Sequence, residues 1–190
     1  MSRPNLTYEQ LHRTTGWAYG EQPDDLLAEA LAVIPPGPAV DLGGGQGRHA
    51  LYLASRGFAV ELVDLSGDAL DQARRSAAKL GLQVRTVRSN IAFYDPPSGL
   101  QAVVAALVLH VPARHAALKT AERVGGAMNQ GALFYLTVPG FDEPTRGLAQ
   151  DLLAAAGCEG RVGKHVVTRA ERPRLPVPRR NETRAVGFRR

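Results

Sequence analysis

Cysteine is almost absent: Cys158 stands alone in 190 residues, so no disulfide can form within the chain. That usage fits a reducing compartment, and a cytoplasmic location is expected. Long apolar runs are missing too. The longest, AVVAALVL at 102–109, falls far short of the roughly 20 residues a membrane span needs. The opening stretch MSRPNLTYEQLHRTTGW has no apolar core, so no secretory signal is expected. No cysteine and histidine cluster has the spacing of metal ligands, and no metal is expected. Aromatic residues make up only 6% of the chain, with Trp17 the single tryptophan.

What the chain does have is unevenly spread charge. Residues 161–190 hold ten Lys/Arg against two acids, Glu171 and Glu182. With a net charge of +5 overall, the remaining residues carry −3. A basic tail attracts anions, but base stacking needs interleaved aromatics, and Phe188 alone does not supply them. Nucleic acid is therefore not the expected partner. A solvated edge hairpin, protected by its charge, explains the tail.

The length, with 44% hydrophobic residues, points to one domain with a real core. Residues 1–36 read as an N-terminal lid and helix segment, with an amphipathic helix over 23–34. Residues 37–140 alternate short apolar runs with helical patterns. Strands are expected at 38–42, 58–65, 82–89, 102–111 and 132–138, with helices at 47–57, 66–81 and 113–124. Residues 141–190 read as a helix, 145–157, and a basic hairpin whose two strands lack a helix between them. The expected fold is α/β: a Rossmann-like, doubly wound, mostly parallel seven-stranded sheet with helices on both faces. Its C-terminal strand pair is antiparallel.

The chemistry concentrates in VDLGGGQGR, residues 40–48, where glycines follow the first strand. Open sheets of this kind bind ligands at the carboxyl ends of their strands. The letters Gly45-x-Gly47-x-x-Ala50 satisfy a dinucleotide pattern, and a nicotinamide-dependent oxidoreductase is one reading. Asp64, at the end of the second strand, would hold ribose hydroxyls for either kind of nucleoside cofactor. Asp41 discriminates. The order Asp41-x-Gly43-x-Gly45-x-Gly47 sets a carboxylate beside the loop, where it would repel a pyrophosphate and welcome an ammonium group. The glycines let the backbone approach such a ligand closely.

VDLGGGQGRHALYLASRGFAVELVDLS resembles the first two motifs of class I S-adenosylmethionine-dependent methyltransferases. The segments WAYGEQPDDLL, LVLHVPARHAAL and GALFYLTVPG resemble the small tellurite-resistance-type branch. The resemblance implies S-adenosylmethionine as cofactor and S-adenosylhomocysteine as product. It implies that Asp41, Gly43, Gly45 and Gly47 line the methionine part and that Asp64 holds the ribose. Leu65 and Ile91 would cover the two adenine faces, with Asn90 accepting from the adenine amine where the family has an acid. Ala105 and Leu107 would pass under the methyl group, and Trp17 and Tyr19 would close as a lid. The chain departs from the family pattern at Gly44, where a cysteine is common, and at VGGAMNQG before the fifth strand.

Methyl transfer is an in-line displacement that mainly requires alignment. A small-molecule acceptor is expected, a metalloid oxyanion or a thiol among them, and a soft nucleophile needs no protein base. For other acceptors His110, at the end of the fourth strand, is the candidate base. His49 reads as structural or cofactor-adjacent. YDPPSG, 94–99, reads as a turn, because its prolines precede the fourth strand. Beside the oxidoreductase, a non-catalytic cofactor- or RNA-binding module is the other alternative. No motif sets an oligomeric state.

Overall fold

The structure, a computed structural model, describes Trp17, residues 20–168 and residues 179–190, with backbone only at 165–168 and 179–181. Tyr19 and the proline-rich stretch 173–178 lie outside the described residues. The elements run α1 (Asp25–Leu31), β1 (Pro38–Leu42), α2 (Arg48–Ser55), β2 (Ala59–Asp64), α3 (Gly67–Lys79) and β3 (Val84–Arg88). Then follow β4 (Leu100–Ala106), α4 (Arg114–Gly126), β5 (Met128–Pro139), α5 (Glu143–Ala155), β6 (Cys158–Thr168) and β7 (Arg179–Arg189).

The sheet has seven strands in the order β3-β2-β1-β4-β5-β7-β6. Strands β1 to β5 run parallel to one another, and β7 runs antiparallel to both β5 and β6. The expected fold class is borne out. Strand order reverses between β1 and β4, which creates a crevice at their carboxyl ends.

Because the central strands are covered on both faces, they read as continuous apolar runs and not as alternating ones. One face packs Val40, Leu42, Val103, Phe134 and Leu136 against α4 and α5 through Ala117, Ala121 and Leu152. The other packs Ala39, Leu62, Val104 and Leu133 against α1, α2 and α3 through Leu27, Leu53 and Ala73. Each fully buried Leu or Phe contributes roughly 1.5–3 kcal/mol of hydrophobic stabilisation. That two-sided burial fixes the strand ends from which the site is built.

Helix α3 starts as its sequence dictates. Ser66 Oγ accepts from Ala69 N at 3.2 Å, Asp68 lies in the first turn and Lys79 in the last. Strand β4 ends at Ala106, earlier than the apolar run suggests. Leu107 has a left-handed φ of 56°, and its N–H donates to the Thr137 carbonyl at 2.9 Å and to Thr137 Oγ1 at 3.1 Å. The chain therefore leaves the sheet there, and residues 108–111 belong to a loop. Strand β5 is longer than expected, because Met128 already pairs with Leu100 across a register shift. YDPPSG forms no helix or strand, and Tyr94 Oη donates to Glu61 Oε2 at 2.7 Å.

Candidate functional site

A cleft of about 510 Å³ opens at the carboxyl ends of β1, β2 and β4. This volume lies in the range of small-molecule sites. Its floor is the glycine loop, Gly43 to Gln46, and the turn Ala106 to Val108. One end is formed by Leu65, Ser89, Asn90 and Ile91, the other by Trp17, Gly20, Arg48 and His49.

The loop needs glycine for two different reasons. Gly43 and Gly45 adopt left-handed φ values of 62° and 56°. A Cβ on Gly43 would also meet Val108 Cγ2 at 2.3 Å, within the cleft floor. Asp64 holds this loop. Its Oδ2 accepts from Gly45 N and its Oδ1 from Ser66 N, both at 2.8 Å. The carboxylate is thus pinned by two backbone donors, keeps further acceptor capacity, and Asp64 lines the cleft.

Asp41 does not line the cleft. It is fully buried, and its Oδ2 accepts from Ala50 N at 3.0 Å, behind the loop. The physical reason is Gly44: a Cβ there would lie 2.3 Å from Asp41 Oδ2, so only glycine leaves room for the acid to turn underneath. The positive end of α2 then draws the carboxylate in. Burial pushes the Asp41 carboxyl up to about 7, with Asp64 and Asp24 adding to that. The Ala50 N–H bond and the Arg48 charge oppose it. Oδ1 has no hydrogen-bond partner among the described residues.

The other expected residues divide. Gly43, Gly45, Asp64, Leu65, Asn90, Ile91, Leu107 and Trp17 line the cleft. Gly47 does not: it precedes α2 with φ 87°, and a Cβ would lie 2.9 Å from Ala73 Cβ, so its role is helix packing. Ala105 is in the core, and Ala106 takes its place at the cleft because strand residues alternate faces. Asn90 Oδ1 accepts from Ala92 N at 2.9 Å, which turns its Nδ2 donor outward from that contact. His110 sits half-buried in the loop after β4 and is not part of the cleft wall. Its loop neighbours Val108, Val111 and Pro112 line the cleft instead.

His49 is in the wall, and behind it lies a buried polar cluster that the sequence did not suggest. Asp24, at the N-cap position of α1, makes no side-chain cap bond. Its Oδ1 accepts from Arg48 Nη1 at 3.0 Å and from Arg184 Nη2 at 3.4 Å. Its Oδ2 accepts from Tyr135 Oη at 2.8 Å and lies 3.5 Å from His49 Nε2. Burial alone would raise the Asp24 carboxyl, but His49, Arg48 and Arg184 together hold it well below the usual carboxylate range. Tyr135 is pushed well above the usual phenol range by burial and by Asp24. The partners lie 24, 111 and 160 residues from Asp24, which is why no local pattern announces them. Only Asp24 beside α1 and Arg48 beside the glycines were visible signals.

Together the wall offers two apolar faces, a pinned carboxylate suited to vicinal hydroxyls, a close-approach glycine floor and a guanidinium at the far end. It suits a nucleoside bearing a charged extension. Residues 39–125 match the protein family described as a methyltransferase domain. Over 70 residues the chain is 43% identical to the ribosomal RNA small subunit methyltransferase H of a Nostoc species. That match covers 36% of this chain and 23% of the relative, so the chain spans about a quarter of the length of that protein. Its fold is shared with TehB from Haemophilus influenzae at a TM-score of 0.72, with 16% identity over 88% of this chain and 63% of that one. It is likewise shared with 1,6-didemethyltoxoflavin-N1-methyltransferase from Burkholderia thailandensis, whose structure contains S-adenosylhomocysteine. There the TM-score is 0.62, with 20% identity over 85% of this chain and 77% of that one. The resemblance read from the glycine motif is borne out.

Proposed function

We propose that this chain, whose residues 39–125 match the methyltransferase domain family, transfers a methyl group from S-adenosylmethionine to a small-molecule acceptor. The observation that carries the reading is the bond from Ala50 N to Asp41 Oδ2 at 3.0 Å. In dinucleotide-binding folds the helix after the glycine loop points its positive end at a pyrophosphate. Here a carboxylate of the chain already stands at that end of α2. The Ala50 N–H is thereby already taken and is not offered to a pyrophosphate, which disfavours the oxidoreductase reading.

The cofactor supplies an electrophilic methyl carbon on a sulfonium leaving group. The chain's own residues bind and orient it. Leu65 and Ile91 flank the base, the outward amide of Asn90 donates to a ring nitrogen, and Asp64 accepts from the ribose hydroxyls. The floor of Gly43 and Leu107 lets the sulfonium arm lie against the backbone. Alignment of this kind supplies roughly 7–11 kcal/mol of the barrier. A thiolate or metalloid oxyanion acceptor needs no proton removed by the chain.

The test is transfer of tritium from methyl-labelled S-adenosylmethionine to a panel of thiols, oxyanions, amines and hydroxy acids, with bulk ribosomal RNA as a parallel arm. Label in a small product supports the reading. Label in RNA alone replaces the acceptor class with that of the ribosomal RNA relative, and label in neither contradicts the activity.

A further inference from the structure

Asn90 stands at the base end of the cleft, in the turn that follows β3, and the structure fixes which way its amide faces. Its Oδ1 accepts from Ala92 N at 2.9 Å, so the side chain closes an Asx turn. The Asn90 carbonyl accepts from Phe93 N at 2.9 Å and from Tyr94 N at 3.1 Å. Arg123 of α4 holds the same turn from behind, donating to the Ala92 and Tyr94 carbonyls, both at 2.8 Å. Turning the amide over would set its Nδ2 hydrogens against the Ala92 N–H and lose that bond. Oδ1 therefore belongs to the turn, and Nδ2, a donor, is what Asn90 offers a base.

We infer that this end of the cleft does not select adenine over a 6-oxopurine, so that the chain also takes the deaminated, hypoxanthine-bearing form of its cofactor; the inference rests on the cofactor reading given above. Adenine presents an amine donor beside a ring-nitrogen acceptor. Hypoxanthine reverses the pair, with a carbonyl acceptor beside a ring N–H. A carboxylate at this place would accept from the amine and repel the carbonyl, which selects adenine. The Asn90 donor finds one partner on either base, the ring nitrogen of adenine or the carbonyl oxygen of hypoxanthine. The neighbouring side chains do not restore the selection. Asp64 is the only carboxylate in the cleft wall among the described residues, and it is tied to Gly45 N and Ser66 N beside the ribose position. Arg88 carries donors alone, with its Nε on the Leu65 carbonyl at 3.1 Å. Ser89 Oγ donates to the Asn90 carbonyl at 3.2 Å. Leu65 and Ile91 are apolar and cover the faces of both bases alike.

The test is calorimetric binding of S-adenosylhomocysteine and S-inosylhomocysteine to the full chain. The two ligands differ only at the amine or carbonyl of the base. Wild type is expected to bind them within about tenfold of each other, since each keeps one hydrogen bond to Asn90. Asn90→Asp keeps the bond from Ala92 N and exchanges the donor for a charged acceptor. It should raise the preference for S-adenosylhomocysteine at least about tenfold over wild type, as expected when a polar group of the site is left facing its like. A larger wild-type preference for S-adenosylhomocysteine overturns the inference without any variant, so a poorly folding Asn90→Asp does not shield it. A smaller rise in Asn90→Asp also overturns it. In both cases binding of S-adenosylhomocysteine keeps the cofactor reading standing. Binding of neither ligand overturns both.

Discussion

Asp41 Oδ2 accepts the backbone N–H of Ala50 at 3.0 Å, so a strand-end carboxylate caps the helix that follows the glycine loop. The acid sits in the core with its other oxygen unpaired among the described residues, and burial pushes its carboxyl up to about 7. Unfolded, the same group titrates near 3.9. The folded chain therefore holds the proton more tightly, and the stability this group contributes is complete below about pH 4 and lost as pH rises through 7. Asp41→Asn, which keeps the bond from Ala50 N, should gain on wild type between pH 5 and 8 in urea unfolding. Each unit of raised pKa corresponds to about 1.4 kcal/mol, so the gain reaches a few kcal/mol. A difference that does not change with pH contradicts the assignment.

Removing Asp24 should be costly. It leaves the buried guanidiniums of Arg48 and Arg184 without their shared anion, and breaking a buried pair costs about 3–5 kcal/mol. Tyr135→Phe removes one hydrogen bond from the same carboxylate and should cost only about 1–2 kcal/mol. Denaturant midpoints of the two variants check the order. Equal losses would mean that Asp24 acts as a packing residue and not as a charge centre.

Gly44→Ala should destabilise by about 1–3 kcal/mol, because its Cβ would fall 2.3 Å from both Asp41 Oδ2 and Leu62 Cδ1. Gly126→Ala is the control: it ends α4 with nothing within 4 Å of the added carbon and should be neutral or stabilising by up to about 1 kcal/mol. The melting temperature should fall in Gly44→Ala and should not fall in Gly126→Ala.

Much of the sheet was legible because buried parallel strands are continuous apolar runs, and PAVDL, AVELVD and ALFYLTV announce themselves. The end of β4 was not, because AVVAALVL stays apolar past the point where Leu107 turns left-handed. Beyond that point the loop residues Val108, Val111 and Pro112 line the cleft and His110 does not, while within β4 the alternation of faces sets Ala106 there in place of Ala105. The glycine loop, Asp64, Leu65 and Ile91 were readable from spacing and from the motif they resemble. The direction of the Asp41 side chain was not, since it depends on space left by Gly44 and on a helix N–H nine residues later. Arg48, directly after the glycines, carries no local sign of burial. Its burial follows from Asp24 and Gln22, contacts made between segments 24 or more residues apart.

His110→Gln should leave S-adenosylhomocysteine affinity within about twofold of wild type, because His110 is not in the cleft wall. Once an acceptor is in hand, kcat should also stay within tenfold, against the 10²–10⁴-fold that removal of a general base costs. A loss in that larger range, with a pH profile shifted relative to wild type, would return His110 to the role first expected of it.

The most direct test is thermal unfolding of the full chain with S-adenosylhomocysteine and, separately, with NAD. At a hundredfold excess over its dissociation constant a ligand stabilises by about 2.7 kcal/mol, which for a domain of this size raises the melting temperature by roughly 5–10 °C. A rise with S-adenosylhomocysteine and none with NAD is predicted. A rise with NAD and none with S-adenosylhomocysteine would contradict a cleft whose helix end is already held by Asp41.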